Sequence, residues 1–135
     1  MANFQPVWNL AGAQAAADLS ANQFYAVKKN TTAHQYALCD TDGEVIAGVL
    51  QNKPGAVGNE ATIMSLGITK VIAGEALSPG DLWGCDSAGK AKVVEGSNTG
   101  ADVGDYVAGF VIEGAAADEI ATVTIGMPTF RVESV

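Results

Sequence analysis

The sequence predicts an all-β protein, a small pseudo-repeated β-barrel or β-sandwich with N- and C-terminal extensions. Three observations carry this expectation. From Gln23 onward, β-branched and aromatic residues fall in short runs bounded by Gly, Pro, Asn and Asp, the pattern of strands and turns. Nothing after Ser20 has the length and period of an amphipathic helix. The chain also echoes itself: Leu19-Ser20 returns as Leu77-Ser78 (77 − 19 = 58), Ile46-Ala47-Gly48-Val49-Leu50 as Val107-Ala108-Gly109-Phe110-Val111 (107 − 46 = 61), and Ala61-Thr62-Ile63 as Ala121-Thr122-Val123 (121 − 61 = 60). Ordered matches at nearly one offset indicate two related β units, too few for a solenoid.

The elements follow in chain order. Met1 to Leu10 carry Phe4, Pro6, Val7 and Trp8 without a regular period, so this segment is either a strap across the domain's own core or an arm to a neighbouring subunit. Asn9 can cap Leu10 to Ala17, but Gly12 weakens the segment, which is expected to form a helical turn at most. Predicted strands are Gln23 to Lys28, Gln35 to Cys39, Glu44 to Leu50, Ala61 to Leu66, Ile68 to Ala73, Leu82 to Cys85, Ala91 to Val94, Tyr106 to Ile112 and Ile120 to Ile125. Cys39-Asp40-Thr41-Asp42-Gly43 and Cys85-Asp86-Ser87-Ala88-Gly89 share a Cys-Asp-x-x-Gly pattern. Asp bonds the following backbone and Gly takes positive φ, so both read as hairpin tips. Met127 to Val135 is a contact tail or, if the echo extends to Val132, a final edge strand. The expected organisation is an N-terminal arm (1–18), a β domain (19–126) and a C-terminal tail (127–135).

Composition narrows the function classes. The 135 residues suit one domain with a sizeable core; 48% are hydrophobic and 16% charged, so the chain is not disordered. The net charge of -8, with no basic residue between Val93 and Phe130, opposes binding to nucleic acid. No apolar stretch is long enough for a membrane span, and no secretion leader is expected. Cys39 and Cys85 could in principle pair, but in a cytosolic chain they read as free thiols, and two cysteines supply too few ligands for a closed zinc site.

Candidate chemistry is sparse. The lone histidine, His34, lies on a polar stretch without a strained Gly-x-Ser-x-Gly elbow, and reads as a surface residue. Asp40, Asp42 and Glu44 resemble part of a calcium loop, but the twelfth position from Asp40 is Gln51 where that loop needs a bidentate Glu, so a turn is expected. The aromatics Phe24, Tyr25, Tyr36, Trp83, Tyr106 and Phe110 are not interleaved with arginine and read as packing residues. No catalytic, cofactor-binding or metal residue is assigned, and the expectation is a structural or binding protein, not an enzyme.

The ordered set Gly43-Glu44-Val45, Ala47-Gly48-Val49-Leu50-Gln51-Asn52-Lys53-Pro54, Gly67-Ile68-Thr69-Lys70-Val71 and Gly80-Asp81-Leu82, with Ala11-Gly12, Leu19-Ser20 and Gln23-Phe24-Tyr25 before it, resembles the capsid cement, or head decoration, proteins of tailed bacteriophages over roughly residues 10 to 126. The resemblance implies a non-enzymatic β-rich protein, assembled in the host cytoplasm, that binds the outside of the capsid as a homotrimer. Its partner would be the major capsid protein, with no cofactor, and its place the virion surface. The unpatterned apolar ends make Phe4, Val7 and Trp8, with Phe130 and Arg131, the expected capsid or subunit contacts. An adhesin-like or fibre-associated module that binds a cell surface or carbohydrate is the alternative, with Trp83 as the aromatic to test for sugar contact.

Overall fold

The computed structural model describes residues 7–95, 104–126 and 130–131. Phe4 lies outside these, and of Phe130 and Arg131 the backbone alone is described. Among the described residues the chain forms twelve strands and no helix. In order they are β1 (Trp8–Asn9), β2 (Gln14–Ala15), β3 (Ala26–Lys29), β4 (Gln35–Leu38), β5 (Gly48–Leu50), β6 (Ile63–Ile72), β7 (Leu82–Cys85), β8 (Ala91–Val93), β9 (Tyr106–Val107), β10 (Gly109–Glu113), β11 (Ile120–Ile125) and β12 (Phe130–Arg131). Ten strands form one mixed sheet in the order β2-β4-β3-β5-β6-β11-β10-β7-β8, with β1 also on β6; β12 pairs with β9 separately. The sheet does not close, so of the two predicted forms the chain adopts the small sandwich and not the barrel.

The internal echo has a structural counterpart. In the first unit β3 pairs antiparallel with β4 and β5, and β5 with β6. In the second, β7 pairs antiparallel with β8 and β10, and β10 with β11. The units join where β11 runs antiparallel to β6, from Ile120↔Ile72 to Ile125↔Gly67. They stack front to back. Val27, Leu50, Ala61 and Ile63 of the first unit are buried beneath Leu10, Ala13, Ala15 and Leu19. Their echoes in the second unit, Cys85, Val111, Ala121 and Val123, are buried against Ala26, Val49 and Met64, the back of the first unit. The first unit is therefore covered on both faces, which is why Gly48, Val49 and Leu50 are all buried and do not alternate. Gly48 and its echo Gly109 are each pressed onto the next strand, since a Cβ there would lie 2.5 Å from Met64 O and 2.1 Å from Thr124 O, respectively. Trp83 fills the main core, fully buried, and its Nε1 donates to Thr124 O at 2.7 Å.

Three expectations are corrected. The helical turn over Leu10 to Ala17 does not form: the N–H groups of Leu10, Gln14, Ala15 and Ala16 donate to Ile63, His34, Asn59 and Tyr36 carbonyls, so inter-segment bonds replace i→i−4 bonds. The segment is a strap that closes the second core. The strands expected on either side of Gly67 are one continuous strand, β6. Met64 and Val71 are an odd number of positions apart, yet both enter the main core, although a flat strand would aim them to opposite faces. Gly67 lies between them with φ 138°, a region that other residues rarely enter, and allows β6 to serve both units. Tyr106 to Ile112 is instead divided into β9 and β10, with the Ala108 N–H turned to Trp83 O.

The paired Cys-Asp-x-x-Gly turns are not equivalent. Cys85 to Gly89 is the β7–β8 hairpin tip, with Asp86 Oδ1 accepting from the N–H groups of Ala88 and Lys90. Cys39 to Gly43 instead follows β4 and reaches across to the second unit, where Gly43 N–H donates to Cys85 O and Gly43 O accepts from Tyr106 N–H. Two lysines grip this loop: Lys28 lies 2.5 Å from Asp40 and 3.3 Å from Glu44, and Lys92 lies 2.6 Å from Asp42 and 2.5 Å from Asp105. Burial disfavours charge on Lys92, but the Asp105 and Asp42 carboxylates outweigh it and hold the ammonium above the usual lysine pKa.

Gly67→Val is expected to cost about 1–3 kcal/mol in urea unfolding, because the side chain strains the backbone where β6 changes cover. Lys92→Met is expected to cost about 2 kcal/mol by leaving the mostly buried Asp105 carboxylate without its cation, and Lys92→Met with Asp105→Leu to recover most of it. Because the folded pKa of Lys92 is raised, its contribution is complete below the unfolded lysine value near about 10.5 and is lost as pH climbs through the folded value; the gap between wild type and Lys92→Met narrows over that alkaline range.

Candidate interaction surface

The back of the second unit has no cover within the described chain. Outward positions along β6 are Leu66, Ile68, Lys70 and Ile72; along β11 they are Ile120, Thr122 and Thr124; along β10 they are Phe110 and Ile112. The ladder aligns them, with Ile68 opposite Thr124 and Ile72 opposite Ile120, while Thr124 Oγ1 accepts from Phe110 N–H at 3.0 Å. β1 continues the row where β11 ends, pairing Trp8 with Leu66, and Ser65 Oγ donates to Trp8 O at 3.1 Å. Trp8 is 68% exposed, Ile120 51% and Phe110 49%, so large apolar side chains stand in solvent along a single face. On a protein of net charge -8, the outward positions of β6 and β11 carry no carboxylate and one cation, Lys70.

Phe110 marks where the two units differ. Its echo, Val49, is fully buried because the second unit packs on it. The same face of the second unit is left open.

Beside this face runs a shallow cleft of about 540 Å³, lined by Phe24, Tyr25, Lys53, Ile72, Lys90 and Ile120 among others. Lys90 bridges to Asp118 across its rim at 2.6 Å. A second hollow of about 370 Å³ is bounded by Phe24, Gln51, Ile68, Thr69, Lys70 and Thr122. Phe24 stands between them with φ 68°, unusual for a bulky residue, and is held by hydrogen bonds from its N–H to Leu50 O and from Ile72 N–H to its O. Aromatic and aliphatic groups with ammonium groups at the rim suit the gripping of another surface.

Of the sequence-predicted contacts, Val7 and Trp8 are exposed, with Trp8 at the end of the apolar row. Phe130 and Arg131 lie in β12, on β9, and so on a different ladder from Trp8. Phe4 lies outside the described residues. Trp83 is buried in the main core, as its reading as a packing residue expects, so it offers no face to a sugar under the alternative reading. His34 is exposed at the β3–β4 connection. The carboxylates of Asp40 and Asp42 diverge to different lysines, and Glu44 accepts from the N–H groups of Asp40 and Thr41, as a turn requires. Sequence reasoning missed the row of Leu66, Ile68, Phe110 and Ile112. A signal was present in Phe110-Val111-Ile112, apolar at consecutive positions where a strand with one solvated face would alternate; Leu66 and Ile68 gave none, since they alternate with Ser65, Gly67 and Thr69.

The fold is a small all-β sandwich built on one open, mixed sheet. It is shared with the N base of the head fiber protein gp8.5 of bacteriophage phi29, at a TM-score of 0.62 and 16% sequence identity, covering 95% of this chain and 99% of that one. No protein-family model and no curated protein matches the chain.

Trp8→Ala is expected to change unfolding free energy by no more than about 0.5 kcal/mol, since the indole is mostly in solvent and β1 is held through its backbone. Urea denaturation of the two proteins side by side provides the measurement; a loss of 2 kcal/mol or so would place Trp8 in the core instead.

Proposed function

We propose that this chain is a non-enzymatic structural protein of a phage head, a cement or decoration protein that binds the outer surface of the capsid and stabilises the shell. The observation that carries the reading is the fold shared, over nearly the whole of both chains, with the head fiber base of phage phi29. The resemblance of the Gly48 to Pro54 and Gly80 to Leu82 segments to capsid cement proteins agrees with it, and those residues have structural roles here. Gly48 lets β5 approach β6, Asn52 bridges Glu60 and Thr62, and Asp81 accepts from Ser78 N–H. In this proposal the open apolar row meets the major capsid protein or a neighbouring copy, with the chain acting as a homotrimer on the virion surface. Symmetric copies would engage several shell subunits at once at high effective concentration. Val7 and Trp8, with Phe4, Phe130 and Arg131 as further candidates, and the structure-derived Phe110, are the proposed contacts.

A fibre-associated module that binds a cell-surface group is the second reading. It is favoured by the neighbour being a fiber base and by the cleft that Phe24 and Tyr25 line.

Co-sedimentation with capsids stripped of their decoration, together with the mass of the free protein, tests the proposal. Saturable binding to expanded shells, reduced about 10-fold or more by Phe110→Ser and by Trp8→Ala at unchanged fold stability, is the expected result. Failure to bind any shell, with intrinsic fluorescence that responds to glycans, would move the fibre-associated reading to first place.

A further inference from the structure

Cys39 ends the first unit's β3–β4 hairpin and Cys85 ends β7 of the second unit, yet their sulfurs and a Glu44 carboxylate oxygen all lie within 4.8 Å of one another. Both thiols are free and fully buried. Nothing in the sequence spacing brings them together; the meeting results from the Asp40–Gly43 loop crossing onto the second unit. Three nearby ligands raise the question of a metal. Glu44 is already committed, however, since Oε2 accepts from the N–H groups of Asp40 and Thr41 and Oε1 lies 3.3 Å from the Lys28 ammonium. That leaves two sulfurs, short of a closed zinc site.

We propose that Cys39 and Cys85 are a cross-link site, at which a mild oxidant such as hydrogen peroxide converts the two thiols into one intrachain disulfide that staples the two β units together. The two sulfurs lie within 4.8 Å of each other and come from segments that the fold already holds side by side, so a small adjustment would bring them to the bonding distance of a disulfide. The Cys85 sulfur attacks one peroxide oxygen, the O–O bond breaks, and the other oxygen leaves as water with the Cys85 proton, giving a sulfenic acid. The Cys39 sulfur then attacks that sulfur, the S–O bond breaks, and the hydroxyl leaves as a second water with the Cys39 proton. The peroxide gains two electrons and the thiols lose two.

The environment separates the two roles. The neighbouring Cys85 and burial hold the proton on Cys39, whereas hydrogen bonding from Cys39 and from the Glu44 and Gly43 backbone lowers the pKa of Cys85. The Cys85 thiol points at the Thr41 and Glu44 carbonyls, at 3.7 and 3.6 Å, beneath the exposed Asp40–Asp42 segment, whose local opening would admit peroxide to the buried pair. The bond would close a loop spanning 46 positions (85 − 39), so it restricts the unfolded chain and raises the melting temperature. This inference does not depend on the capsid reading.

The test is peroxide treatment of the full-length protein, followed by alkylation in denaturant, mass spectrometry and peptide mapping. The expected result is a monomer lacking two hydrogen atoms, a Cys39–Cys85 linked peptide, a melting temperature several degrees above that of the reduced protein, and reversal of all three by dithiothreitol. Cys39→Ser and Cys85→Ser should each show no such rise. The wild-type peptide map decides the matter even if either variant folds poorly. Sulfinic or sulfonic acid on one cysteine without the linked peptide, covalent dimers, or thiols that persist through exposures that oxidise a buried-thiol-pair control would each overturn the proposal.

Discussion

The structure depends on β6 serving two half-sheets at once. Its first residues pair with β5 and its last six with β11, so the stacking of the units is set by how this strand turns along its length. A flat strand would present Met64 and Val71 to opposite faces, and the two units would form one wide sheet with no common core. The backbone at Gly67 removes that conflict. The echo in the sequence therefore yields stacked layers, in which the front of the second unit packs on the back of the first.

Stacking has a consequence at each end of the pile. The first unit's front needs a cover, which the strap from Leu10 to Leu19 provides in place of the helical turn expected over Leu10 to Ala17. The back of the second unit receives none from the described chain. What remains there is an apolar row, nearly free of charge, on a markedly acidic protein. An acidic envelope repels other acidic surfaces, while the charge-poor face offers the approach that repulsion opposes least.

The loop from Cys39 to Gly43 provides a second tie between the units, of a different kind. Its glycine enters a space that the Asp105 carboxylate leaves no room to share, since a Cβ there would lie 2.0 Å from Asp105 Oδ1. Lysines from each unit hold its carboxylates, and beneath it the two thiols meet. Backbone bonds, ion pairs and sulfur contact thus converge on one short segment. Long-range order of this type depends on partners far apart in sequence and has no local signature.

The sequence by itself determined the strand content, the two-fold echo, β7 and β11 at their full extents, and the β7–β8 hairpin, because period-2 patterning and turn chemistry are local. It also marked Gly67 as a break, though of the wrong sort: the glycine turns a strand and does not end it. Only the tertiary structure decided the rest. The two-residue strands β1 and β2 exist because β6 and β4 offer backbone partners, not because Trp8 or Gln14 has a propensity. Whether an apolar residue is core or surface was settled by layering, which buries Val49 and exposes its echo Phe110. Two residues alike in sequence context differ because one half-sheet is covered by the other, and burial is a property of what packs across a face, which no single strand encodes.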